Sequence, residues 1–184
     1  MQHEEKMHMG WGRFAGMILL STAVMFVLMY QLVYSADHVF FSLNRLVASL
    51  VMACVMTLIM LGFMWSMYRG PGVKIAILML ALVIGIGLLL TNRSQALVSD
   101  VTFMQAMIPH HSIAVNNASK AALSDSRVRE LADKIIEFQV REIAEMELLI
   151  DDIRQNGERG EASLPARPAI LTPEMAEEAR RVLN

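Results

Sequence analysis

The sequence predicts an all-α protein: three transmembrane helices followed by a helical hairpin outside the membrane. Three observations predict it. Residues 14–34, 46–68 and 75–91 contain no charged side chain. After Asn92 the pattern changes from continuously apolar to amphipathic at helical spacing. The chain is 55% hydrophobic with a mean hydropathy of +0.44, above the roughly 45–50% apolar content of soluble domains.

A helix rises about 1.5 Å per residue, so a hydrocarbon core of about 30 Å needs roughly 20 apolar residues. The spans are therefore placed at 14–34, 46–68 and 74–92, within a membrane domain of residues 14–93. The third is short, and Lys74 and Arg93 are expected to snorkel to the interfaces. Trp11, Tyr30, Tyr34, Trp65 and Tyr68 fall near the span ends, as an aromatic belt requires. The first span is read as retained. Its apolar stretch exceeds a signal-peptide core, and Glu4 and Glu5 precede it.

Lys6, Arg13, Arg69 and Lys74 flank one side of the membrane, Arg45 and Arg93 the other. The positive-inside rule then puts residues 1–13 in the cytoplasm and the C-terminal domain outside, in the periplasm if the membrane is a bacterial inner membrane.

In the C-terminal part, residues 100 to about 123 read as one helix, capped by Ser99 or Asp100. Ser124-Asp125-Ser126 supplies a turn and a new cap. Residues 127 to about 155 form the second helix, with Val128, Leu131, Ile135, Phe138, Ile143, Met146, Ile150 and Ile153 as its apolar series. Asn156-Gly157 ends it. The hairpin domain is thus 99–155, and 156–184 is a linker with a short last helix that starts at Thr172-Pro173-Glu174. Two helices bury only one stripe each. The hairpin is therefore expected to pair with a second copy as a four-helix bundle, or to pack on the membrane domain.

The densest chemistry is F-M-Q-A-M-I-P-H-H at residues 103–111. Met104, Met107 and His111 are spaced i, i+3, i+7 and share a face, which Asp100 joins one turn earlier. His110 is one step off, but a kink at Pro109 would swing it inward. On the second helix Gln139, Glu142 and Met146 share a face. Thioether sulfur is soft and imidazole borderline, a combination that selects Cu(I) over magnesium, calcium or manganese. A di-iron carboxylate site would need Glu-x-x-His on facing helices, and the second helix has no His. Against the copper reading stands plain core packing by Met with surface histidines.

M-I-P-H-H at 107–111 together with Q-V-R-E-I-A-E-M at 139–146 resembles the domain-of-unknown-function 305 family (DUF305), over roughly residues 99–153. The resemblance implies a ferritin-like helical bundle, usually exported, with copper bound in some members through Met and His. Carried over by position, it implicates Met107, His110, His111 and Met146, with Met104 beside them and Gln139 and Glu142 in support. The three-span front and M-H-M-G at 7–10 resemble one subgroup.

Methionine is abundant, 16 in 184 residues. Met52, Met56, Met60, Met64 and Met67 fall at steps of four, four, four and three in the second span, and Met25 and Met29 add a pair in the first. His3, Met7, His8 and Met9 form a soft cluster before the first span. Methionine packs helix contacts as a flexible filler; a thioether path for Cu(I) is the sharper reading. The second span resembles that of the Ctr-type copper transporters, which work as trimers. The third span instead has Gly85 and Gly87 two apart, where that family has G-x-x-x-G, and the predicted orientation is opposite.

The lone Cys54 excludes a disulfide framework. No phosphate-cradling glycine loop or nucleophile–base pair is present, and no basic excess suggests nucleic acid. The expectation is a membrane-anchored, non-enzymatic Cu(I) binder serving buffering, delivery or resistance, homo-oligomeric and working with copper-handling partners. A Cu(I) transporter and a purely structural oligomerisation module are the alternatives.

Overall fold

The computed structural model describes residues 10–160 and 162–183. The N-terminal cluster of His3, Met7, His8 and Met9 lies outside the described residues. Six α-helices, joined by loops and short 3-10 turns, account for the regular structure, and there is no strand among the described residues.

The three spans are α1 (Trp11–Leu28), α2 (Leu43–Phe63) and α3 (Pro71–Ser94), each long and apolar enough to cross a membrane. At about 1.5 Å per residue their 18, 21 and 24 residues give roughly 27, 32 and 36 Å. All three sets of boundaries move relative to the charge-free segments. α1 starts earlier and ends six residues before Tyr34, because the chain breaks into turns after Leu28. α2 starts at Leu43, where the Ser42 hydroxyl accepts the Arg45 N–H, and stops at Phe63 before a 3-10 turn at Trp65–Met67. α3 opens on Pro71 after Gly70, whose φ of +85° is open to glycine at little cost.

α2 packs against both neighbours. At Gly85 the backbone of α3 approaches Cys54 so closely that an added Cβ would stand 3.1 Å from the Cys54 Cβ. At one end of the spans Phe14, Leu61 and Tyr68 form a core with Trp11, Met17, Ile18, Met60, Met64, Ile77 and Leu78 around it. Two expectations fail here. Tyr68 is not a belt residue: it is 2% exposed, stacked on Trp11 at 4.8 Å and edge-on to Phe14 at 5.3 Å. Lys74 does not snorkel outward. It is 6% exposed and donates to the carbonyls of Trp65 (2.8 Å) and Tyr68 (3.0 Å), with its ammonium over the Trp65 ring. The turn between α2 and α3 has peptide carbonyls without helical partners, and the ammonium satisfies two of them.

Outside the membrane, α4 (Asp100–Lys120) and α5 (Ser126–Asn156) form the hairpin. Ser99 and Thr102 make a reciprocal capping box at the start of α4. Asp125 caps α5 by accepting the Arg127 N–H, and Gly157 ends it at φ +80°. A short α6 (Pro173–Arg180) follows, capped by Thr172.

The hairpin core comprises Met104, Ile108, Ile143, Met146 and Ile150, with Val101, Met107, Ile153 and Phe40 against it. Phe40 comes from the loop between the first two spans, so the hairpin packs on the membrane domain. That loop is tied to α4 through Ser112, which is fully buried. Its hydroxyl accepts the Tyr34 N–H at 2.8 Å and stands 2.9 Å from the His38 Nδ1.

Candidate metal centre

Two turns of α4 and one of α5 supply the site. On α4 the spacing i, i+3, i+7 puts Met104, Met107 and His111 along the side that meets α5. On α5, Met146 stands one turn beyond Glu142 and packs into the same core as Met104 and Met107. Three thioethers therefore share one apolar cluster, with Ile108, Ile143 and Ile150 excluding water around them.

His111 follows Met107 by one turn of α4. Its side chain is 13% exposed, and its Nδ1 stands 3.3 Å from Glu142 Oε2, which is 44% exposed. The pair is within ion-pair reach but not aligned for a hydrogen bond, so the buried Nδ1 has no hydrogen-bond partner. Burial holds the imidazole below its ordinary pKa; Glu142 opposes that shift, and His110 adds slightly to it. A neutral imidazole with a free lone pair is what a metal ligand requires.

The other residues named from the sequence fall elsewhere. His110 is exposed, its ring centroid 6.0 Å from that of His111. Pro109 is fully buried within α4, and the His110 that follows it is not turned inward. Asp100 is exposed in the first turn of α4, where its charge suits the helix dipole. Gln139 is half-buried on α5, one turn before Ile143.

His38 and Ser112 were not legible as part of this region. Their one signal is that residues 38–41, His-Val-Phe-Phe, are too apolar for a connection that faces only water.

In the spans the methionine series divides. Met52 and Met56 of α2, with Met25 of α1, line an apolar groove of about 320 Å³ together with Val55 and Ile59. Met60 and Met64 pack instead with Met17 around Phe14, Leu61 and Tyr68. Met67 is exposed in the 3-10 turn beyond α2.

Among the described residues, no group of three or more His, Cys, Asp or Glu side chains is placed to hold a metal ion.

Residues 100–181, which contain this site, match the family model described as a domain of unknown function, DUF305. An uncharacterized protein, L153, of Acanthamoeba polyphaga mimivirus is 32% identical over 104 residues, covering 53% of this chain and 68% of that protein. The chain belongs to the DUF305 family. No solved structure matches it. The DUF305 region begins at the first residue of α4 and ends just beyond α6, so it contains Met104, Met107, His111 and Met146 and none of the three spans.

Proposed function

We propose that this DUF305 protein is a membrane-anchored Cu(I)-binding protein of the bacterial envelope, with its hairpin on the periplasmic side, acting in copper buffering, delivery or resistance. The observation that carries this reading is the shared apolar cluster of Met104, Met107 and Met146, with the unpartnered Nδ1 of His111 on the next turn of α4 after Met107. These donors fit a soft monovalent ion. Sulfur and neutral imidazole place no negative charge in the pocket, so a divalent hard cation gains nothing there to offset its dehydration. Glu142, whose Oε2 stands 3.3 Å from the same Nδ1, supplies a carboxylate at the rim that balances the ion's charge. The excess of cations flanking the opposite side of the spans supports the orientation. Val128, Leu131, Ile135 and Phe138, exposed along one side of α5, support assembly with a second copy. Nothing in this reading calls for catalysis.

The test is a Cu(I) titration of the full chain in detergent against a competing chelator. Replacing Met104, Met107 and Met146 by Leu and His111 by Ala should remove one equivalent of bound Cu(I), while His110→Ala should not. Met→Leu conserves volume and keeps the core filled, so loss of binding reports on donors rather than on folding. Equal binding by both proteins rules the site out. Passage of Cu(I) along the spans is the second reading. The groove at Met25, Met52 and Met56 favours it, and it requires a flux that a simple binder lacks.

A further inference from the structure

A second groove lies between α1 and α3. Its floor is Thr57 of α2; its walls are Ala15, Ile18 and Leu19 on one side and Val73 and Ile77 on the other; Trp11 and Phe14 stand at its end. It is an open groove of about 560 Å³. From Trp11 to Leu19 the groove descends about 12 Å at 1.5 Å per residue, most of one leaflet's share of a hydrocarbon core of about 30 Å.

Among the described residues, the charged side chains at its mouth are cations. Arg13 precedes Phe14, and Arg69 follows Tyr68, which stacks on Trp11. Both arginines are exposed, and neither is in an ion pair among the described residues. α3 begins here, 24 residues long, with no side-chain cap on its first amides, which leaves the positive end of its dipole open. The Tyr68 hydroxyl is buried without a hydrogen-bond partner. Lys74 is already committed to two carbonyls. The sequence has no Asp or Glu between Glu5 and Asp37, or between Asp37 and Asp100.

The geometry points to a binding site for an anionic phospholipid, with one acyl chain in the groove and the phosphate between Arg13, Arg69 and the start of α3. The groove lies in the membrane, where acyl chains are the solvent, and it opens at headgroup level. A second copy seated in it would bring its own Arg13 and Arg69 against these two. An anionic headgroup supplies the missing charge, and its oxygens can accept from the first amides of α3. The site is independent of the metal pocket, which lies outside the spans.

The experiment uses the full chain in nanodiscs of equal phosphatidylglycerol and phosphatidylcholine, extracted in mild detergent, with co-purifying lipid counted by mass spectrometry. Phosphatidylglycerol should be retained over phosphatidylcholine by at least about five-fold, the attraction of one basic side chain for an anionic surface. R13Q/R69Q should abolish the preference, and Ala15→Phe, which fills the groove, should lower the total lipid retained. Light scattering on each variant shows whether its size is unchanged. Equal retention of the two lipids overturns the proposal, as does a preference that survives R13Q/R69Q. So does an Ala15→Phe variant that changes oligomeric size rather than lipid content, since the groove would then belong to a second copy.

Discussion

Ser112→Ala should loosen the hairpin from the membrane domain without disturbing the hairpin's own core. The hydroxyl makes two contacts with the first loop, to the Tyr34 N–H at 2.8 Å and to the His38 Nδ1 at 2.9 Å. Each is worth a net of about 0.5–1.5 kcal/mol, so losing both costs about 1–3 kcal/mol. Tyr34 is half exposed and its amide can find water on release, which puts the expectation at the lower end of that range. At 1.4 kcal/mol per tenfold, the undocked population rises roughly 5- to 150-fold. Hydrogen exchange over residues 30–42 reads this directly, because the Tyr34 amide is protected only while it is bonded. His38→Ala should lose only its own share, and a double-mutant cycle with Ser112→Ala should give a coupling of about 0.5–1.5 kcal/mol. The reasoning is refuted if exchange in this segment is unchanged in Ser112→Ala, or if the two substitutions add without coupling.

Two further outcomes follow from the hairpin itself. Because burial lowers the His111 pKa, the folded hairpin binds fewer protons than the unfolded chain. The corresponding stability is fully present above the ordinary histidine value of about 6.5 and is lost as pH falls through the folded value. Thermal melts between pH 4.5 and 7.5 should show the loss. His111→Ala should flatten it, and Cu(I) affinity should fall in the same window as protons compete for the lone pair. Ile150→Ala, at a position 1% exposed in the hairpin core, should cost about 2–5 kcal/mol through lost burial and a residual cavity, measured by chemical denaturation with helicity as the signal.

The membrane spans were legible because lipid imposes a composition, and composition survives without any knowledge of neighbours. Their limits were not legible. Gly70, the Ser42 cap and the turn after Leu28 set them, and local chemistry at a helix end outweighs a run of uncharged residues. The misreading of α5 is instructive. Val128, Leu131, Ile135 and Phe138 follow one heptad phase; Ile143, Met146, Ile150 and Ile153 follow another, because Phe138 to Ile143 is a step of five. The second series is buried or half-buried, while the first is exposed, one residue or about 100° away. The buried partner of α4 in the first half of the helix is Ala132, too small to register in an apolar series. For the candidate site, spacing alone put Met104 and Met107 on the side of α4 that packs with Met146, since a helix face follows from arithmetic. His110, one step off that face, is exposed. The apolar run at 38–41 hints that the loop is covered, but it does not name the partner of His38, which lies 74 residues away.

Among the described residues, the hairpin's core cluster takes Phe40 from the rest of the chain, and α4 otherwise meets the membrane domain at α2 and the turn at Ala36–His38. That division makes the protein two cooperative units joined by a weak seam. Calorimetry on the full chain should therefore resolve two heat-absorption peaks rather than one. The outer unit would melt first and refold by itself while the spans stay anchored in the bilayer, so heat damage outside the membrane can be repaired without reinserting the protein.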